Sequence, residues 1–203
     1  MNNPAVIDRH LSGLDDILSK SARLMAQLGY HGTSMRDLAQ VTGRSLSGLY
    51  HYFSSKEELL FLINQRGFTS LLEMSAILPD QDITPEKRLA RLITNHVTYF
   101  MNHLSEMRVM TSGSMEMDEQ RSRILWDLKD EYATLGQNIV SGYMCAQTGI
   151  DYPPEVVSRK TYFLYGMMNW IFGWYSATRH GTADQVADDI FRTFTRGCCA
   201  VEE

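Results

Sequence analysis

The chain has no excess of basic charge, no long apolar run and almost no cysteine, and each absence narrows what it can be. Its most apolar stretch, Thr161 to Tyr175, contains Asn169 and falls short of the roughly 20 residues a bilayer requires, so no membrane span is expected. The three cysteines, Cys145, Cys198 and Cys199, have no metal-ligand spacing, and adjacent thiols make a poor structural disulfide; a reducing cytoplasm fits them best. The opening residues, MNNPAVIDRH, do not set a basic stretch before an apolar one and so do not read as a secretory signal. Also missing are G-x-S-x-G, H-E-x-x-H, a phosphate loop and a dinucleotide glycine pattern. Asp15-Asp16, Asp188-Asp189 and the acidic residues from Glu116 to Glu119 read as solvated helix ends and loop charges. No enzyme, cofactor or metal site is expected. His96 and His103 stand two helical turns apart, too far for an i, i+4 metal pair.

What is present is enough apolar material, 44% of 203 residues, for one large or two small cores. The net charge of −5 is unevenly placed: residues 1 to 66 carry seven Lys/Arg against six Asp/Glu, and the remainder twelve against eighteen. The first part is therefore +1 and the second −6. Arg36, Arg44 and Lys56 are the cations available to a charged surface in the first part.

Apolar periodicity gives about nine helices and no strand, hence an all-α fold. The first helix is expected from Asp8 to Leu28, with Leu11, Leu14, Leu18, Ala22 and Met25 on one face and Gly29 as its stop. Ser55-Lys56-Glu57-Glu58 reads as a capping box, with Ser55 as N-cap and Glu58 at N3, opening a linking helix over 55–77 that ends before Pro79. Further helices are expected from Thr84-Pro85 to His103, Glu106 to Thr111, Gln120 to Gln147, Pro154 to Thr178 and Ala183 to Cys199, with a loop over Thr111 to Glu119. The spacing suggests two domains, 1–54 and 55–203.

Between the first helix and the linking helix lies TSMRDLAQVTGRSLSGLYHYFSSKEELL (Thr33–Leu60), which reads as two short helices joined at a tight turn. Leu38, Ala39, Val41, Leu49 and Phe53 can close a small core, and Gly43 can take the left-handed backbone of the turn. Ser45, Ser47, Gly48, Tyr50 and His51 then face outward on a helix able to enter a major groove. Leu46 could touch a thymine methyl, but its helical-wheel position beside Leu49 and Phe53 favours core packing. Lys56, a cation opposing the helix dipole in a first turn, suits a phosphate.

The runs GYHGTSMRDLAQVTG (Gly29–Gly43) and GLYHYFSSKEELL (Gly48–Leu60) resemble the N-terminal domain of the TetR family of transcriptional regulators, over roughly residues 8 to 66. The resemblance implies a ligand-responsive regulator, acting as a repressor on a palindromic double-stranded DNA operator, with Thr33, Tyr50 and Lys56 holding the backbone. Arg44 stands where the family usually has an apolar residue, and Leu46-Ser47-Gly48 replace a commonly basic, glycine, threonine run. Base preference is expected to differ accordingly, through Arg44 and Ser47.

The segment YGMMNWIFGWYSATRHG (Tyr165–Gly181) places Gly166 and Gly173 seven apart, where a second helix could approach. With Trp170, Trp174, Val186, Ile190 and Phe194 it reads as a homodimer interface, similar to the four-helix bundle of TetR-type proteins. The second part is also rich in methionine and aromatic residues suited to an adaptable apolar pocket, among them Met101, Met107, Met110, Met115, Met117 and Tyr99. A small-molecule effector is expected to meet His96, Tyr99, Met107, Trp126, Tyr143, Tyr162, Asn169, Trp170 and Arg179. The Asn169-Trp170 and Trp174-Tyr175 pattern is similar to that of members answering acyl-CoA thioesters. A multidrug or aromatic-compound sensor would present the same pocket pattern.

Overall fold

The computed structural model describes residues 4–76, 83–112 and 117–198, with side chains from residue 13 onward apart from those of Ala76, Ser112 and Cys198. The side chain of Leu11 and the expectations for Ile77, Pro79, Met115, Cys198 and Cys199 lie outside that description. The described elements are all helical: α1 Pro4–Leu28, α2 Met35–Thr42, α3 Leu46–Tyr50, α4 Lys56–Ala76, α5 Pro85–Asn102, α6 Leu104–Ser112, α7 Glu119–Thr148, α8 Pro154–Asn169, α9 Ile171–Trp174, α10 Ala177–His180 and α11 Ala183–Cys198. They form two compact units, one from residues 1–67 and 104–126, the other from 68–103 and 127–203.

In the first unit the core is built where the 3.6-residue period brings apolar positions to one side. Ile17, Leu18, Ala22 and Met25 of α1 meet Leu38 of α2, Leu49 of α3, Phe53, then Leu59, Leu60 and Ile63 of α4, and Val109 of α6. Ser34 caps α2: its hydroxyl accepts from the Asp37 amide while the Asp37 carboxylate accepts from the Ser34 amide. The Ser34 hydroxyl also donates to the Asp37 carboxylate, and that bond, with the one from the Ser34 amide, holds the Asp37 carboxyl below its ordinary pKa. Gly43 ends the helix in the left-handed region at φ 69°, and the Arg44 amide donates to the Ala39 carbonyl at 3.1 Å. Gly67 of α4 leaves room for Met110 of α6, whose sulfur occupies the space a side chain there would need.

In the second unit α5 begins at Pro85 behind Thr84, whose hydroxyl accepts from the Lys87 amide. It buries Leu89, Leu92, Ile93, His96, Val97, Tyr99 and Phe100. Against α5 packs α11, through its inner face of Val186, Ala187, Ile190 and Phe194. The helix expected from Pro154 to Thr178 is interrupted. Trp170 leaves helical geometry at φ −82° and ψ 0°, Tyr175 is extended at φ −67° and ψ 137°, and three helices, α8, α9 and α10, replace one. Gly166 and Gly173 therefore lie on different helices and do not form one face.

Candidate functional site

The short helix α3 is set by its ends. Ser45 caps it, its hydroxyl accepting from the Gly48 amide at 3.0 Å and sharing a hydrogen bond with the Ser47 hydroxyl at 3.0 Å. A side chain at Gly48 would begin 3.1 Å from that capping oxygen, so glycine here keeps the cap in place. His51 is the C-cap and is exposed, and Tyr50 is 53% exposed. Arg44 is exposed, with its guanidinium 5.8 Å from the Tyr52 ring centroid.

Several assignments on this surface change. Thr33, expected at the DNA backbone, is 1% exposed and its hydroxyl donates to the Gly29 carbonyl at 2.8 Å. The residue at the start of α2 is Ser34, one position on. Lys56 is tied inward: Nζ donates to the Tyr30 carbonyl at 2.7 Å and the Thr33 carbonyl at 2.9 Å, and it lies 4.2 Å from the Tyr30 ring centroid. Those acceptors offset the unfavourable helix dipole that had suggested a phosphate. Val41 of α2 and Leu46 of α3, expected in the core, are exposed, and Leu46 shares no helix with Phe53 because α3 ends at Tyr50. The capping box at α4 is divided: the Glu58 amide donates to Ser55 Oγ, but its carboxylate accepts from the amide and hydroxyl of Ser54. Those two bonds lower the Glu58 pKa.

Behind this head, the Glu57 carboxylate accepts from the Asp118 amide at 2.7 Å. Arg121, in the first turn of α7, bridges Glu57 and Asp118. The Arg121 amide bond lowers the Asp118 pKa.

The residues expected at a ligand are divided between the two units, and within the second the structure brings the Asn169 side chain to His96. Met107, which is buried, and Trp126, which is exposed, belong to the first unit; His96, Tyr99 and Tyr143 are buried in the second. Tyr162, Asn169, Trp170 and Arg179 are exposed. What the second unit does assemble is an aromatic cluster that the sequence reading missed. His96 stacks on Phe100 at 4.1 Å between centroids and shares a hydrogen bond between Nδ1 and the Tyr132 hydroxyl at 2.9 Å. The Tyr165 ring lies 5.4 Å from that of Tyr132. His96 is 1% exposed. Burial drives its pKa down to about 3, the Asn169 side chain offsetting a little of this. Burial likewise raises the Tyr132 and Tyr165 hydroxyls above their ordinary range. The sequence signal for this cluster was Gly136, a glycine inside a long helix.

Two surface hollows lie at α11. One, of about 400 Å³, is lined by Met167, Trp174, His180, Val186, Asp189, Ile190 and Thr193. The other, of about 460 Å³, holds Arg179, Gln185 and Asp188 and shares His180 and Asp189 with the first.

The expected dimer residues separate into two groups. Val186, Ile190 and Phe194 are buried within the chain itself, since they are the face α11 turns to its own unit, and Gly173 is exposed, a side chain there beginning 3.1 Å from the ring of Trp170. Gly166 has open space around it, Trp170 is 64% exposed, and Trp174, Tyr162 and Phe163 are exposed as well. Among the described residues no helix is long and apolar enough to cross a membrane, and no group of three His, Cys, Asp or Glu could hold a metal.

A glycine-cornered pair of short helices on its own small core, presenting capped α3 to solvent, defines a helix-turn-helix DNA-binding regulator. Residues 17–63 match the model of bacterial regulatory proteins of the tetR family, and residues 82–198 that of the tetracyclin repressor-like C-terminal domain. The chain belongs to the TetR family of transcriptional regulators. It is 29% identical over 66 residues to the transcriptional repressor AcnR of Corynebacterium efficiens, 32% of this chain and 35% of that one, so the match spans about a third of that relative's length. The fold is similar to that of PfmR from Thermus thermophilus, at 27% identity and a TM-score of 0.78 over 89% of this chain and 97% of that one. It is also similar to AibR in complex with isovaleryl coenzyme A and operator DNA, at 23% identity and a TM-score of 0.75 over the same shares.

Proposed function

We propose that this regulator is a repressor that binds a palindromic operator as a homodimer and lets go when a small apolar effector, an acyl-CoA thioester, binds its second unit. The observation that carries the DNA part is the exposed α3, held out by the Ser45 cap and the Gly43 corner. A two-fold dimer doubles its phosphate contacts and fixes the spacing of half-sites about 34 Å apart. The dimer surface is the exposed apolar side of α8 and α9, Phe163, Gly166, Trp170 and Trp174. The effector reading draws support from the buried aromatic cluster around His96 and from AibR, whose structure holds an acyl-CoA together with operator DNA. Arg159, Lys160 and Arg179 are cations for the phosphates of such a ligand. Release would be mechanical: the ligand tilts α4 and changes the separation of the two heads.

One observation favours a second effector class. The hollow of about 400 Å³ combines Trp174, His180 and Met167 with a single carboxylate, Asp189, which suits an aromatic cation.

The test is release of an operator obtained by selection from random duplexes. Medium- and long-chain acyl-CoA thioesters should raise the melting temperature and release DNA, and the free acids should do so less. Neutralising Arg159, Lys160 or Arg179 should weaken release by the thioesters more than by a neutral aromatic compound. Thioesters without effect, beside aromatic cations that release DNA, would replace the first effector class by the second.

A further inference from the structure

Leu46 is the first residue of α3 and is 38% exposed. A single exposed leucine is common on any protein surface, so its place is what matters. It stands at the leading end of the helix that a helix-turn-helix regulator inserts into the major groove, where the first residues meet base edges. The polar side chains beside it are already engaged. Ser45 Oγ serves the Gly48 amide and Ser47 Oγ, and the Arg44 guanidinium lies over Tyr52. Among the exposed side chains at this end of α3, from Arg44 to Ser47, that of Leu46 is an isobutyl group that neither donates nor accepts.

The major-groove edge has one apolar feature, the C5-methyl of thymine; guanine, adenine and cytosine present acceptors or an amino group there. An apolar side chain pressed on those polar edges would strip their water and return nothing, whereas on a methyl group it buries apolar surface on both sides. We propose that Leu46 reads a thymine methyl, fixing thymine at one symmetric position of each operator half-site. This rests on the reading of the chain as an operator-binding dimer.

The experiment deletes the methyl and nothing else. An operator is selected from random duplexes with the full-length protein, then remade with each symmetric pair of thymines replaced by uracil. For one pair, binding should weaken about fourfold per half-site and about fifteenfold for the palindrome. The same substitution should change binding by Leu46→Ala less than twofold. Leu46→Met, which keeps an apolar side chain of similar reach, should retain the loss, and Leu46→Gln should move the selected base away from thymine. Thermal melting of all three variants checks folding, and the Met and Gln pair carries the comparison if the alanine variant melts early. In the wild-type complex, 5-methylcytosine at that position should bind more tightly than plain cytosine. Uracil tolerated at every position, or equal losses in wild type and the Ala or Gln variant, overturns the assignment and leaves operator binding standing. Failure to enrich any sequence overturns operator binding itself, and the assignment with it.

Discussion

The hydroxyl of Tyr165 fills the space in which a side chain on Gly136 would begin. A Cβ at Gly136 would overlap that oxygen and stand 2.9 Å from Tyr165 Cζ and 3.3 Å from Thr161 Cγ2. The hydroxyl donates to the Tyr132 carbonyl at 2.7 Å, one turn earlier on α7. A glycine inside a helix costs about 1 kcal/mol against alanine. Here it opens the notch through which α8 is tied to the backbone of α7.

Gly136→Ala should therefore destabilise the protein by about 1–3 kcal/mol, since overpacking outweighs the gain in helix propensity. Tyr165→Phe removes the overlapping oxygen, so the double variant should lose less than the two single losses added. A denaturant-unfolding cycle with a coupling of about 1 kcal/mol is the expected result. Additive losses would mean that the two residues do not share the notch.

Lys56 and Tyr50 should behave differently, although the sequence gives both the same task. Lys56→Ala removes two bonds to carbonyls of the α1–α2 connection and the contact with Tyr30, and should cost about 1–2 kcal/mol of stability. Tyr50→Ala, on an exposed ring, should change stability by less than about 0.5 kcal/mol while weakening DNA binding across sequences. Melting curves and DNA titrations on both variants decide the matter. A Lys56→Ala protein with unchanged melting and a salt slope lower by about one would return the residue to phosphate binding.

The interface proposal separates residues that the sequence pattern groups together. Trp170→Glu or Phe163→Glu, on the exposed side of α8 and its end, should yield monomers that bind DNA poorly, because a charge at a close crossing needs a partner it lacks. Ile190→Ala, on the buried side of α11, should instead cost about 2–5 kcal/mol of stability and leave assembly unchanged. Sedimentation at micromolar concentration distinguishes them. A wild-type monomer would remove the interface, and so would dimers in both charged variants.

Much of the head is legible in the sequence because its devices are local. A Gly at a left-handed corner and the run of matched positions from Gly29 to Leu60 all act within a few residues of chain, and residues 17–63 match the family model. The differences arise where a helical wheel is continued past the end of a helix. A wheel that sets Leu46 beside Phe53 runs through a helix that stops at Tyr50, and one that joins Gly166 to Gly173 runs through a break at Trp170. The cluster of His96, Phe100, Tyr132 and Tyr165 joins three helices distant in sequence, and no period along one of them announces it. The inner face of α11 is visible as an apolar stripe, but a stripe does not say whether it meets its own chain or a second copy.

The last prediction concerns the imidazole within that cluster. Its ordinary pKa is 6.5, and burial lowers it to about 3 in the folded protein. Between those values the unfolded chain binds more protons than the folded one. The stability due to a neutral His96 is thus fully present above about pH 6.5 and is lost as pH falls, by about 1.4 kcal/mol per pH unit within the window. Tyr132 and Tyr165 stay protonated throughout, and the lowered carboxyls of Asp37 and Glu58 lose their contribution only at more acidic pH. From pH 7 to pH 5 the wild type should lose about 2 kcal/mol of unfolding free energy more than His96→Phe does, whatever the absolute stability of the variant. Urea unfolding at the two pH values for both proteins gives the difference directly. Equal losses would show that the ring takes up its proton in the folded state and that the cluster is open to water.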